Sequence, residues 1–230
     1  ESSMNEIMKN SNDILQFWFA FLSIIMIVFT IIGFFLNNNI LDNAKKQLEM
    51  VEKEARTSKE SIEKETNKLI EESNKKIQEN NLFNLGIQSL NNKDYKLAIY
   101  YFTEVIKLNP NNYQAYNNRG IAKDKLGELN EAIEDYNKAI ELNNNYSEAY
   151  NNRGNAKSNL ANTKEKNSEE YNKLINEAIN DYNEAIKLNP NISETYNNIG
   201  AVKYDLANIK EKNSKEYNKL MNEAIDNYSK

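Results

Sequence analysis

The chain has no cysteine and no histidine among its 230 residues. Without cysteine there are no disulfides and no thiolate chemistry. Without histidine, Ser-His-Asp and Cys-His nucleophiles, HExxH sites and most zinc geometries are excluded together. Glycine is scarce, with six copies, and proline scarcer, with two. Neither a G-x-G-x-x-G nor a Walker-type phosphate loop can be assembled from them. Arginine supplies only three of the 29 basic residues (Arg56, Arg119 and Arg153), and the net charge of -5 leaves no nucleic-acid footprint. The chain is read as a non-enzyme, with no cofactor, no metal site and no nucleic-acid partner.

What the chain does have is a period. Gly86, Gly120, Gly154 and Gly200 lie 34, 34 and 46 residues apart and account for four of the six glycines. Tyr116, Tyr150 and Tyr196 stand four residues upstream of the last three. Downstream come Ala98, Ala132, Ala178 and Ala224, each followed four residues later by an aromatic (Phe102, Tyr136, Tyr182, Tyr228). A period near 34 residues with helical spacing throughout marks stacked helical hairpins. Glycine and alanine recur where the two helices of a hairpin must approach closely, and the aromatics are expected to fill the space between neighbouring hairpins. No such hairpin buries its apolar face alone, so stability comes from stacking.

These residues resemble the tetratricopeptide repeat family. The first copy supplies Leu82, Leu85, Gly86, Ala98, Phe102, Val105 and Pro110. The second supplies Tyr116, Gly120, Ala132, Tyr136 and Ala139, and the third Tyr150, Gly154, Ala178, Tyr182, Ala185 and Pro190. The fourth supplies Tyr196, Gly200, Ala224 and Tyr228. Arg119 and Arg153 replace the usual leucine before the glycine, and Asn144 replaces the proline. The resemblance covers 79–230 and implies an all-α solenoid, with repeats at 79–112, 113–146, 147–192 and 193–230, the last incomplete.

Ahead of the array lie three further segments. Residues 1–13 are polar. Residues 14–36 form an apolar run of 23 residues without a charge, 16 of them Ile, Leu, Phe or Val. About 20 such residues span a bilayer. A cleaved signal peptide has a shorter core and a small-residue site, whereas this run ends in Phe34, Phe35 and Leu36, so a retained single-pass anchor is expected. Lys45, Lys46, Lys53 and Arg56 follow the run and only Lys9 precedes it, which puts the repeats in the cytoplasm. The alternative is the extracytoplasmic face.

Residues 37–78 read as a helical stalk. Residues 40–79 contain neither glycine nor proline, and five Glu-to-Lys/Arg pairs four apart (Glu49–Lys53, Glu52–Arg56, Glu60–Lys64, Glu71–Lys75, Glu72–Lys76) are placed to support an exposed helix. A heptad seam runs through Leu41, Leu48, Ala55, Ile62 and Leu69, but its companion positions decay to Ser58, Glu65 and Glu72. A solvated single helix and a weak coiled coil both fit. Gln16, Ala20, Ser23, Thr30 and Gly33 share one face of the anchor, and small side chains let helices approach in lipid. A homodimer through anchor and stalk is the corresponding expectation.

The third and fourth copies carry a 12-residue insertion, in 161–178 and 207–224. Tyr171, Leu174, Ile175, Ala178, Ile179 and Tyr182 keep helical spacing through the first. Ser168 and Ser214 are placed as N-caps. The insertion is expected to lengthen both helices of the hairpin around a Lys-Glu-Lys-Asn-Ser tip.

The sixth position of each repeat, counted so that the glycine is eighth, is Asn84, Asn118, Asn152 and Asn198. In superhelical members of the family, an asparagine at the matching position lines the inner surface and binds peptide backbone. An amide suits that task, having donors and an acceptor; an AT-rich base composition is the competing source of asparagine. Arg119 and Arg153, next to this ladder, are candidates to pair an acidic ligand or to sit solvated. The function expected is a membrane-anchored scaffold holding a peptide or protein partner on its concave face. The alternatives are a self-associating envelope protein and the non-catalytic helper segment of a longer protein.

Overall fold

The computed structural model describes residues 2–35 and 38–229. Glu1, Leu36, Asn37 and Lys230, which end or flank the expected segments, lie outside the described residues. Nine helices are described and no strand: α1 (Ser2–Phe35), α2 (Asn38–Asn91), α3 (Tyr95–Leu108), α4 (Tyr113–Lys125), α5 (Leu129–Leu142), α6 (Ser147–Ala161), α7 (Glu169–Leu188), α8 (Ser193–Asn208) and α9 (Lys215–Tyr228). They fall into two compact units, Glu1–Glu72 and Ser73–Lys230.

In the first unit, the apolar window Ile7–Ile32 of α1 is long enough to cross a bilayer, and none of it is buried. Leu22, Ile25, Met26 and Phe29 of α1 share an apolar groove with Leu41, Ala44, Leu48 and Val51 of α2. The first three seam residues of α2 are half-buried, and the next two, Ile62 and Leu69, are exposed. The five expected Glu-first ion pairs are not formed among the described residues. The stalk pairs that close are Lys59–Glu63 at 3.7 Å and Lys68–Glu72 at 3.8 Å, lysine first. On a solvated helix, so weak an attraction does not overcome the freedom of two long side chains, and the pairing left is incidental.

The second unit is a stack of helical hairpins. The end of α2 meets α3 where Phe83 and Gly86 pack on Phe102; α4 pairs with α5, α6 with α7, and α8 with α9. The period has a steric origin visible at each of its four glycines. A Cβ at Gly86 would stand 2.7 Å from the Phe102 ring, at Gly120 2.7 Å from Tyr136, at Gly154 2.6 Å from Tyr182, and at Gly200 2.9 Å from Tyr228. The aromatic of the second helix occupies the volume the glycine leaves empty, so these four rings fill the inside of their own hairpin and not, as expected, the space between neighbouring hairpins. Ala98, Ala132, Ala178 and Ala224 are buried one turn earlier on the same helices.

The hairpin junctions reuse one device. Asn109, Asn143 and Asn189 each accept, through Oδ1, the backbone N–H two residues on, at 3.1, 3.1 and 3.2 Å. Such turns follow from the short amide side chain, so part of the asparagine content is structural. The insertion behaves as its spacing predicts. α7 has 20 residues against 14 in α5, α6 has 15 against 13 in α4, and the connecting turn has seven (162–168) against three (126–128). Ser168 and Ser214 cap their helices by accepting from the N–H of Tyr171 (3.1 Å) and Tyr217 (3.0 Å). Asn167 and Asn213, just before them, take the left-handed conformation at φ 65° that asparagine tolerates better than most residues.

Candidate functional site

The first helices of the hairpins (the end of α2, then α4, α6 and α8) follow one another along the stack. Between the last three opens a polar cavity of about 320 Å³. Its lining includes Asp124 of α4, Asn155, Ser158 and Asn159 of α6, and Asn198 and Asp205 of α8. A concavity drawn from three consecutive repeats is the natural recess of such a stack.

Asparagine amides link the same helices. Asn117 Nδ2 donates to Tyr146 Oη (3.4 Å), and Asn152 Nδ2 to Asn117 Oδ1 (3.0 Å). Asn198 Nδ2 donates to Asn151 Oδ1 (3.1 Å), which also accepts from the Thr195 hydroxyl at 2.9 Å. Each bond between amides crosses from one repeat to the next. Asn117 and Asn151 are buried, at 3% and 5% exposure, and a buried amide left unpaired is costly.

The four ladder asparagines therefore divide. Asn84 is exposed and Asn118 half-buried, and neither amide is engaged among the described residues. Asn152 and Asn198 use their donors on the preceding repeat and keep Oδ1 as an acceptor. Of the four, only Asn198 lines the cavity. The partners of the ladder, at the fifth position, were not visible as partners in the sequence. Their signal is the doubled Asn-Asn at 117–118 and 151–152.

The two arginines are engaged inside the array. Arg119 makes a two-pronged pair with Asp135, Nε to Oδ2 at 2.9 Å and Nη2 to Oδ1 at 2.6 Å. Its Nη1 reaches Thr103 Oγ1 of the preceding repeat at 3.2 Å. Arg153 repeats the arrangement with Asp181 (2.9 and 2.5 Å) and Asn137 (2.7 Å). Lys123 and Lys157 complete each group, at 2.8 and 2.9 Å from the same carboxylates. Both guanidinium groups also lie 5.4 Å from the ring of a tyrosine three residues back, Tyr116 and Tyr150. The planar fork of arginine matches a carboxylate and still has donors to spare. These side chains are neither solvated nor held out to the groove; each ties two helices of its own hairpin to the hairpin before.

The site offers hydrogen bonding and charge. Among the described residues no acidic cluster could hold a metal ion. Burial raises the phenols of Tyr136 and Tyr182 above their ordinary value and pushes Tyr146 up to about 12, so none approaches ionisation near neutrality. Tyr182 donates to Asn155 Oδ1 at 2.8 Å, which turns the Asn155 amide nitrogen into a free donor at the cavity.

Family comparison places the array. Residues 80–112 and 101–134 each match a model described as tetratricopeptide repeat, and 124–160 with 172–206 match one described as TPR repeat. Small glutamine-rich tetratricopeptide repeat-containing protein 2 of Saccharomyces cerevisiae is 44% identical over 50 residues, 22% of this chain. The chain spans only 14% of that relative's length. Among solved structures, TTC0263, a thermophilic TPR protein of Thermus thermophilus, is similar at a TM-score of 0.53 and 22% identity. That similarity covers 66% of this chain and 75% of the other. MamA is similar at 0.51 and 22%, covering 66% and 78%. At this identity the two structures speak to the fold alone. Glycines seated against aromatics, a repeated hairpin and the matches along 80–206 agree: the chain belongs to the tetratricopeptide repeat family.

Proposed function

We propose that the chain is a membrane-anchored scaffold whose hairpin array holds an extended segment of a protein partner on its concave face. The observation that carries this reading is the polar cavity lined from α4, α6 and α8. Amides suit an extended peptide because the backbone offers alternating donors and acceptors without reference to its side chains. Asn198 lines that cavity and keeps an acceptor, while Asn118, with its whole amide free, and Asn152, which keeps an acceptor, would extend the contact along α4 and α6 outside it. Segments 1–13, 14–36, 37–78 and 79–230 then serve as polar N-terminal segment, anchor, stalk and binding module. No catalytic step is assigned to any of them.

The exposed apolar window of α1 supports the anchor, since lipid is the solvent that such a surface prefers. The basic flank after it favours a cytoplasmic array. Because the chain has no cysteine of its own, one introduced at Asn162 reports topology cleanly. It should be protected from an impermeant thiol reagent in intact cells, and ready labelling would reverse the orientation.

The binding reading is tested with a partner recovered by pull-down on the full chain. Asn118→Ala with Asn152→Ala should weaken that partner about tenfold, a loss of about 1.4 kcal/mol, while helicity is unchanged. Equal affinity would remove the asparagines from the contact.

A further inference from the structure

Resting on that reading, we infer that the segment held in the groove is cationic: an extended peptide whose lysine or arginine side chain is taken between Asp124 and Asp205. Three observations lead there. The first is where the cations of the array go. Arg119 and Lys123 are committed to Asp135, Arg153 and Lys157 to Asp181, and Lys203 to Glu223 at 2.8 Å. Five of the positive charges on the first helices of the hairpins thus point into hairpin interiors and are neutralised there.

The second is what remains at the cavity. Asp124 and Asp205 both line it, against the single cation Lys125. Among the described residues Asp205 is exposed and forms no ion pair, and Asp124 accepts only a long bond of 3.3 Å from Asn159 Nδ2. Lys125 is exposed and unpaired among them, on a stem flexible enough to turn its ammonium to water. A charge left this way in a recess, short of a partner, sets the sign of what enters.

The third is that the same recess offers backbone chemistry beside the charge. The Asn155 amide nitrogen is free to donate, because Tyr182 fills its oxygen, and Asn198 Oδ1 is free to accept. A peptide unit would meet a donor and an acceptor there while its cationic side chain reached a carboxylate. An acidic segment would meet two carboxylates and only the mobile Lys125.

The test uses the full chain in nanodiscs and a displayed library of random dodecapeptides, selected against wild type and against Asp124→Asn with Asp205→Asn. The substitutions are isosteric and keep the acceptor for Asn159, and circular dichroism checks the fold. Peptides enriched on wild type should be rich in Lys and Arg. Synthesised and measured by fluorescence anisotropy, they should bind the double variant about tenfold more weakly, and should weaken on wild type as salt rises. Enrichment of neutral or acidic peptides would overturn the inference and leave the groove-binding reading standing. So would equal binding of basic peptides by the double variant, which would reduce them to general attraction. If no peptide is enriched over empty nanodiscs, the groove-binding reading falls and this inference falls with it.

Discussion

The two middle repeats and the two outer ones fill the same repeat position in different ways. At the residue before the glycine and its partner on the second helix, the middle repeats have Arg119 with Asp135 and Arg153 with Asp181. The corresponding residues are Leu85 and Tyr101 in the first repeat, and Ile199 and Asn227 in the fourth. Both members of the pair change together, so an arginine is never left facing an apolar or neutral partner. The backbone scarcely distinguishes the two solutions, since the glycine–aromatic seat is kept in all four. What the charged version adds is direction. A guanidinium that must satisfy its own Asp135 and the previous repeat's Thr103 at once fixes how the hairpins are stacked, a specificity that apolar packing does not supply.

The largest break in this comparison should come from Asp181→Ala. It strands Arg153, and leaves Lys157 only Glu177 at 3.2 Å, in a site where Arg153, Lys157 and Asp181 are only 17%, 13% and 7% exposed. Removing one partner of a buried ion group costs about 3–5 kcal/mol, and the residual exposure puts this case near the lower end, about 3. Asn227→Ala, the matching change in the fourth repeat, loses only an amide bonded to the carbonyl of its own helix, that of Glu223, and should cost less than about 0.5 kcal/mol. Thermal unfolding of the full chain in micelles reads both. The comparison sharpens with Arg153→Ile plus Asp181→Asn, which installs the fourth repeat's own pair. The double variant should recover most of the loss, ending within about 1 kcal/mol of wild type. A double variant as unstable as Asp181→Ala would mean the two solutions are not interchangeable.

The glycines give a smaller contrast of the same kind. Gly154→Ala drives a methyl to 2.6 Å from the ring of Tyr182, which is 1% exposed and held by its hydroxyl's bond to Asn155. Overpacking of this sort costs about 1–3 kcal/mol. At Gly200 the ring belongs to Tyr228, 50% exposed, and can swing outward. Gly200→Ala should therefore stay below about 1 kcal/mol, partly offset by alanine's better helix propensity. Equal melting temperatures for the two variants would show that the ring, not its burial, sets the cost.

The fold was legible because glycine, alanine and aromatic recur on a steric rule that leaves little latitude. The Ser168 and Ser214 caps were legible for the same reason: a cap is a local bond between neighbours in sequence. The charge pairing was not. Arg119 meets Asp135 across 16 residues and Arg153 meets Asp181 across 28, the difference being the insertion, so no fixed spacing betrays the pair. In the stalk the failure ran the other way. Spacing there placed five ion pairs that do not form, because register on an exposed helix permits a contact without supplying the energy to hold it. The groove lies between these cases, since its asparagines recur visibly but their partners stand on other repeats.

The smallest effect, and the most diagnostic, concerns the junction between the two middle repeats. Tyr146 sits there with its ring 4.9 Å from that of Tyr113, edge to face, and its hydroxyl accepts from Asn117 Nδ2 at a long 3.4 Å. Asn112 and Ile192 hold the corresponding place at the outer junctions, so only the middle junction carries a phenol. At neutral pH, Tyr146→Phe forfeits one weak hydrogen bond, about 0.5 kcal/mol. The sign reverses in alkali. Burial raises the folded-state phenol from its ordinary 10.0 to about 12, so the protonated form is favoured by folding. That stability is complete below pH 10 and is lost as pH climbs from about 10 through about 12. Phenylalanine has no proton to lose. The variant's melting temperature should therefore start slightly below wild type at pH 8, meet it as pH rises, and exceed it by pH 11. Parallel curves across that range would show that the phenol is as free in the folded chain as in the unfolded one, and that the middle junction is held by ring packing alone.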